Sequence, residues 1–135
     1  MITNPDLCVI RLRARERISA ELAALLDPVN IASMHEFVLP ANADVELHYH
    51  DIDEYWLFTD GHPTVTLRLP DGTQKVYHLE SSDLVATLRG VEHTLHADHP
   101  LTYFQFSSTP APGARGGHLI RDRGQDSGVR GQGRE

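Results

Sequence analysis

A single cysteine in 135 residues leaves no partner for an internal disulfide. Cys8 is therefore read as an inert thiol, and a reducing, cytoplasmic setting is the simplest expectation. Lysine is almost as scarce, Lys75 being the only one, and the formal charge is −7. An acidic chain without a basic patch is a poor nucleic-acid binder, since phosphate contacts need clustered cations. Uninterrupted apolar runs are also missing: none approaches the ~20 residues that span a bilayer. The opening "MITNPDLCVIRLRARER" lacks the charged, apolar, small-residue order of a signal peptide. What remains is one domain, long enough to bury a core without staples.

Three textures divide the chain: an N-terminal segment over 1–30, a strand-rich body over 31–107 and a flexible Gly/Arg-rich tail over 108–135. In the first, Ala14, Ile18, Leu22, Leu25 and Leu26 share one face at helical spacing. That predicts a helix over 13–26, stopped by Asp27-Pro28 because the residue before proline avoids the α region. The body reads as short strands, "SMHEFVL", "VELHYH", "EYWLFTD", "TVTLRL", "QKVYHL", "LVATL", "TLHA" and "LTYFQFS". Asp71-Gly72 between two alternating runs marks a hairpin. So many short strands with no helix between them predict an all-β sandwich or barrel. The tail holds Arg115, Arg121, Arg123, Arg130 and Arg134, with "HLIRD" its one piece fit to pack as a last strand. Its composition also suits a linker to a fused or partner domain.

The histidines carry the chemistry. In a strand, residues two apart share a side, so His48 and His50 face together and Tyr49 faces away. Glu54 follows the turn "DID", and an antiparallel return would bring its carboxylate to the imidazoles' side. Two nitrogens and an oxygen on one wall begin a transition-metal site. His93, entering a strand after the turn at Gly90, offers a third nitrogen.

These positions resemble the two motifs of the cupin superfamily. The first runs Gly, five residues, His-x-His, three or four residues, Glu, six residues, Gly, and is matched by His48, His50, Glu54 and Gly61. The second runs Gly, five residues, Pro-x-Gly-x-x-His, three residues, Asn, and is matched by Gly90 and His93. Asn42 and Ser82 stand where the motifs begin with glycine, Leu88 replaces the proline and Ala97 the final asparagine. The resemblance covers about residues 31 to 107. It implies a double-stranded β-helix (jelly-roll) barrel, dimeric, holding one divalent transition metal (Zn, Fe, Mn or Ni) through His48, His50, Glu54 and His93.

Glu46, on the same strand face as His48 and His50, is the first candidate for a general base or a hydrogen-bond partner of a ligand. Tyr103 and Gln105 would be useful polar groups if they face inward. Of Trp56, Phe58, Tyr103, Phe104 and Phe106, half must face inward and half outward. His35 and Glu36 alternate, so only one can face the interior. His96, His62, His78, His99 and His118 are read as surface residues.

Two enzyme readings stand, both with a small-molecule substrate. One is a redox-neutral isomerase, lyase, cyclase or rearrangement catalyst, similar to the zinc cupins of hydrazine-forming synthetases. The other is a dioxygenase, resembling quercetinases and acireductone dioxygenases, acting on an enolate. A non-catalytic ligand-sensing cupin is the third.

Overall fold

The structure, a computed structural model, describes residues 2–26, 31–122 and 125–129. Ten strands are present among the described residues: β1 (Val9–Arg11), β2 (Ile31–Leu39), β3 (Glu54–Asp60), β4 (Thr64–Arg68), β5 (Gln74–His78), β6 (Asp83–Thr87), β7 (Glu92–His96), β8 (Leu101–Ser108), β9 (Leu119–Asp122) and β10 (Gln125–Val129). One sheet has the order β1-β6-β3-β8-β2, a second β5-β4-β7 and a third β10-β9. All neighbours are antiparallel. The five-stranded and three-stranded sheets face each other, and their inward residues alternate with outward ones as the pleat requires.

The alternation settles the aromatic register. Trp56, Phe58 and Tyr103 are buried, while Phe104 and Phe106 lie half-buried on the other face. From the opposite sheet Val65, Leu67 and Leu95 close the same core. β4 and β5 form the hairpin expected at Asp71-Gly72, with Arg68 paired to Gln74 and Gly72 at φ 96°.

Gly61 has to be glycine. At φ 109° its backbone is left-handed, and a Cβ there would meet Leu101 Cδ2 at 2.6 Å. Asn42 and Ser82, at the two positions where the motifs begin with glycine, adopt φ 58° and 69°. The turns are kept although the residues have changed, Asn being the more tolerant of the two.

The N-terminal helix is shorter than expected. Helix α1 covers Ala20–Leu25 alone, because Ser19 caps it by accepting the Leu22 N–H at 3.0 Å. Upstream, Arg15 turns left-handed at φ 64° after a single 3-10 turn, Leu12–Ala14, which breaks the expected stripe. Leu22 is fully buried but Ile18 is 45 % exposed. The expected stop at Asp27-Pro28 lies outside the described residues. Cys8 is buried, and burial pushes its thiol up to about 12.

The first part of the tail is also more ordered than its composition implies. Tyr49 and Leu119 exchange both backbone hydrogen bonds at 2.9 Å, so β9 docks beside the His48–His50 segment, and β10 pairs back onto β9. β9 lies in "HLIRD", the one piece of the tail expected to pack as a last strand. Among the described residues no helix is long and apolar enough to cross a membrane.

Candidate metal centre

His48, His50, Glu54 and His93 converge at one end of the barrel. Glu54 opens β3, and His93 is the second residue of β7. His48 reaches β7 by an isolated bridge, donating its N–H to His93 O at 3.2 Å and accepting the His93 N–H at 2.7 Å. All four residues are buried: 1 %, 8 %, 3 % and 1 % exposed. The ring centroids lie 4.9 Å apart for His48 and His50, 4.5 Å for His48 and His93, and 5.2 Å for His50 and His93. His50 Nε2 is 3.7 Å from Glu54 Oε2.

Each ring is held by its other nitrogen. Nδ1 of His48 contacts Glu46 O at 2.6 Å, that of His50 contacts Gly117 O at 3.0 Å, and that of His93 contacts Val91 O at 2.9 Å. A carbonyl only accepts, so all three Nδ1 atoms carry the proton and all three Nε2 atoms present a lone pair. Those Nε2 atoms are buried, and His93 Nε2 makes no hydrogen bond to any of the described residues. Burial, then the neighbouring His48 and His50, push His93 well below the usual histidine range and keep it neutral. Trp56 Nε1–H donates to Glu54 Oε1 at 2.9 Å and fixes that carboxylate. Three neutral imidazoles and one carboxylate, each steadied from behind, are a donor set suited to a divalent transition metal.

Two overlapping groups of possible ligands share His50: one adds Glu54 and His93, the other His48 and His118. His118 does not serve as a ligand together with His48 in this arrangement. Its ring lies parallel to that of His48, at 3.7 Å and 13°. Imidazole lone pairs lie in the ring plane, so two stacked rings do not aim at one point. His118 instead forms part of the wall. Its expected place on the surface is corrected, because β9 carries it over the site.

Two further expectations change. Glu46 is exposed rather than inward. Around it only His48 and Tyr49 form bridges, so the strand alternation that relates His48 to His50 does not extend back to residue 46. What Glu46 gives the site is its backbone carbonyl. Tyr103 does face inward, but it packs deep in the core, 5.7 Å from Phe37 and 5.6 Å from Phe58. It does not line the cavity beside the centre. Two residues along β8, Gln105 does.

That cavity, of about 320 Å³, is lined by Ser33, His35 and Phe37 of β2, by Ile52, Gln105 and Ser107, and by His50, Glu54, Gly117 and His118. Gln105 is 8 % exposed, and its Oε1 has no hydrogen-bond partner among the described residues. Of the pair His35 and Glu36, His35 is the one on the cavity side. Sequence reasoning overlooked Gly117 and gave His118 no part in the site. The one signal available was the packing tendency of "HLIRD".

The fold is similar to the double-stranded β-helix barrel of cupins, and a His/Glu wall stands at one end of it. No family model matches the chain, and no curated protein does. Solved structures do. The oxalate decarboxylase of Lactobacillus farciminis, in complex with formate, is 24 % identical with a TM-score of 0.51, over 56 % of this chain and 22 % of its own. An oxalate decarboxylase variant from Bacillus subtilis is 19 % identical at TM-score 0.53, over 58 % and 21 %. A Streptococcus pyogenes protein of unknown function is 17 % identical at TM-score 0.50, over 58 % and 64 %. The chain thus spans about a fifth of each decarboxylase, and the likeness is one of fold.

Proposed function

We propose that this is a divalent-metal cupin enzyme catalysing a redox-neutral, lyase- or isomerase-type reaction on a small carboxylate-bearing metabolite. The observation that carries the reading is that the Nδ1 atoms of His48, His50 and His93 are all committed to carbonyls, which leaves three buried Nε2 lone pairs, those of His50 and His93 within ligand reach of Glu54. His48, His50, Glu54 and His93 would hold the ion. When bound, it supplies a Lewis acid that polarises an oxygen of the substrate. The similar structures support the class of ion and ligand: one is described with Mn(II) centres and one with formate.

The chain's own residues do the rest. With neutral imidazoles and one carboxylate, a divalent ion keeps one uncompensated positive charge, which favours an anionic oxygen over a neutral one. Gln105 and Ser107 line the cavity from β8, the strand next to the one that carries Glu54, where an amide and a hydroxyl would orient the substrate. Phe37 and Ile52 keep part of the wall dry, which strengthens those hydrogen bonds. Assembly as a homodimer is part of the same reading. Its support is the outer strand β2, which exposes Ile31, Met34 and Val38 at 58 %, 59 % and 68 %.

Metal analysis of protein purified without chelators tests the centre. About one ion per chain is expected, with none in His50→Ala although its β circular dichroism is retained. Protein that cannot be loaded, or a His50→Ala variant that keeps its ion, overturns the reading. A screen of small carboxylates in an oxygen electrode separates the chemistries: turnover without oxygen uptake is expected, and stoichiometric uptake would assign the dioxygenase alternative instead.

A further inference from the structure

The segment after β8 runs across the mouth of the centre and is fastened on both sides of it. Before the crossing, Arg115 grips Asp51 three times: backbone N to Oδ2 at 2.9 Å, Nε to Oδ2 at 2.8 Å and Nη2 to Oδ1 at 3.1 Å. After it, Leu119 is locked to Tyr49 by two backbone bonds. Arg121 then lies over the Tyr49 ring at 4.1 Å and donates to Gly90 O at 3.0 Å. Between these anchors, Gly117 accepts the His50 Nδ1–H, and His118 stacks on His48. The other two imidazoles take their carbonyls from two residues upstream, Glu46 for His48 and Val91 for His93. His50 alone borrows its carbonyl from 67 residues away.

We infer that residues 115–121 are a strap that sets the metal-binding tautomer of His50, with the Arg115–Asp51 pair as its latch. This inference rests on the metal-centre reading above. The Gly117 carbonyl accepts only from a ring protonated at Nδ1, and a ring protonated at Nε2 would lose that bond and offer the centre no lone pair. Arg115 and Gly117 are positioning residues: they act through His50. The latch itself is a surface pair, with side chains 49 % and 23 % exposed. Its loss therefore costs the fold little, whereas partners that orient metal ligands are worth about 10- to 100-fold in metal affinity. The two effects separate by experiment.

The test uses the full chain as wild type, Arg115→Ala and Asp51→Asn. Affinity is read by competition of Zn2+, and separately Mn2+, against a chromophoric chelator. The His50 tautomer is read in the metal-free protein from imidazole 15N shifts. Arg115→Ala should weaken ion binding by about ten-fold or more, and His50 should lose its fixed Nδ1–H form. The metal-free melting temperature should stay within about 3 °C of wild type. Asp51→Asn should behave in the same way with a smaller loss. Wild-type affinity in both variants, or an unchanged His50 tautomer, overturns the strap. So does a large fall in metal-free melting temperature, which would make the segment a prop for the fold. Failure of the wild type itself to bind either ion would instead sink the metal reading, and the tautomer measurement would still decide the strap.

Discussion

Removing the guanidinium of Arg68 should be among the costlier single changes outside the hydrophobic core. Glu92 is 1 % exposed and is held by a bidentate pair, Arg68 Nε to Oε1 at 2.9 Å and Nη2 to Oε2 at 2.6 Å. The pair joins β4 to β7 one residue before His93. Deleting one partner of a buried ion pair costs about 3–5 kcal/mol, because the other charge is stranded. Here Arg121 lies 4.0 Å from Glu92 and offers partial compensation, which points to the lower end, about 3 kcal/mol. A chain of this length unfolds with an entropy of about 0.28 kcal/mol per degree, so Arg68→Ala should lower the melting temperature by about 10 °C. Thermal melts at neutral pH measure it. The double variant Arg68→Met with Glu92→Leu should regain most of the loss, since apolar residues of similar volume commonly replace a buried pair without cost. A single variant melting within about 3 °C of wild type, or a double variant no better than the single, would refute the reasoning.

Three further outcomes follow from particular residues. Glu46→Gln should leave both metal content and turnover unchanged, since the site uses the backbone carbonyl of residue 46. A ten-fold fall in rate would put its side chain back in the chemistry. Ser82→Gly should stabilise the fold by about 0.5 kcal/mol, because relief of the left-handed strain slightly exceeds glycine's entropic cost; matched urea melts check the sign. Cys8, with its thiol raised to about 12, should resist iodoacetamide at pH 8 and react only after denaturant is added, whereas rapid labelling of the native chain would contradict its burial.

Local signals in the sequence read out well. The spacing of His48, His50, Glu54 and His93 places all four together, because each sits next to a strand end or a tight turn whose geometry is set nearby. The hairpin at Asp71-Gly72 and the inward placement of Trp56 and Phe58 follow from the same short periods. The misreadings have a common cause in rules carried past their support. Strand alternation was extended to Glu46, where no ladder exists. Helical spacing was extended upstream of Ser19, where a cap had already fixed the helix start. The strap was illegible for a different reason. Its composition is that of a loop, and what orders it is a set of contacts with Asp51, Tyr49 and His50 that no local pattern announces.

The 67-residue span between His50 and the carbonyl that orients it has a consequence for biosynthesis. A chain emerging from the ribosome exposes His48, His50, Glu54 and His93 well before Gly117. Until that glycine arrives, the four side chains proposed as ligands are present without the carbonyl proposed to set the tautomer of one of them. At about 5–20 residues per second, the interval from His93 to Leu119 lasts a few seconds. On the proposed reading, ion capture in native geometry would wait until Gly117 has been made, and a chain truncated before Gly117 would be released as a barrel with a poorly prepared centre.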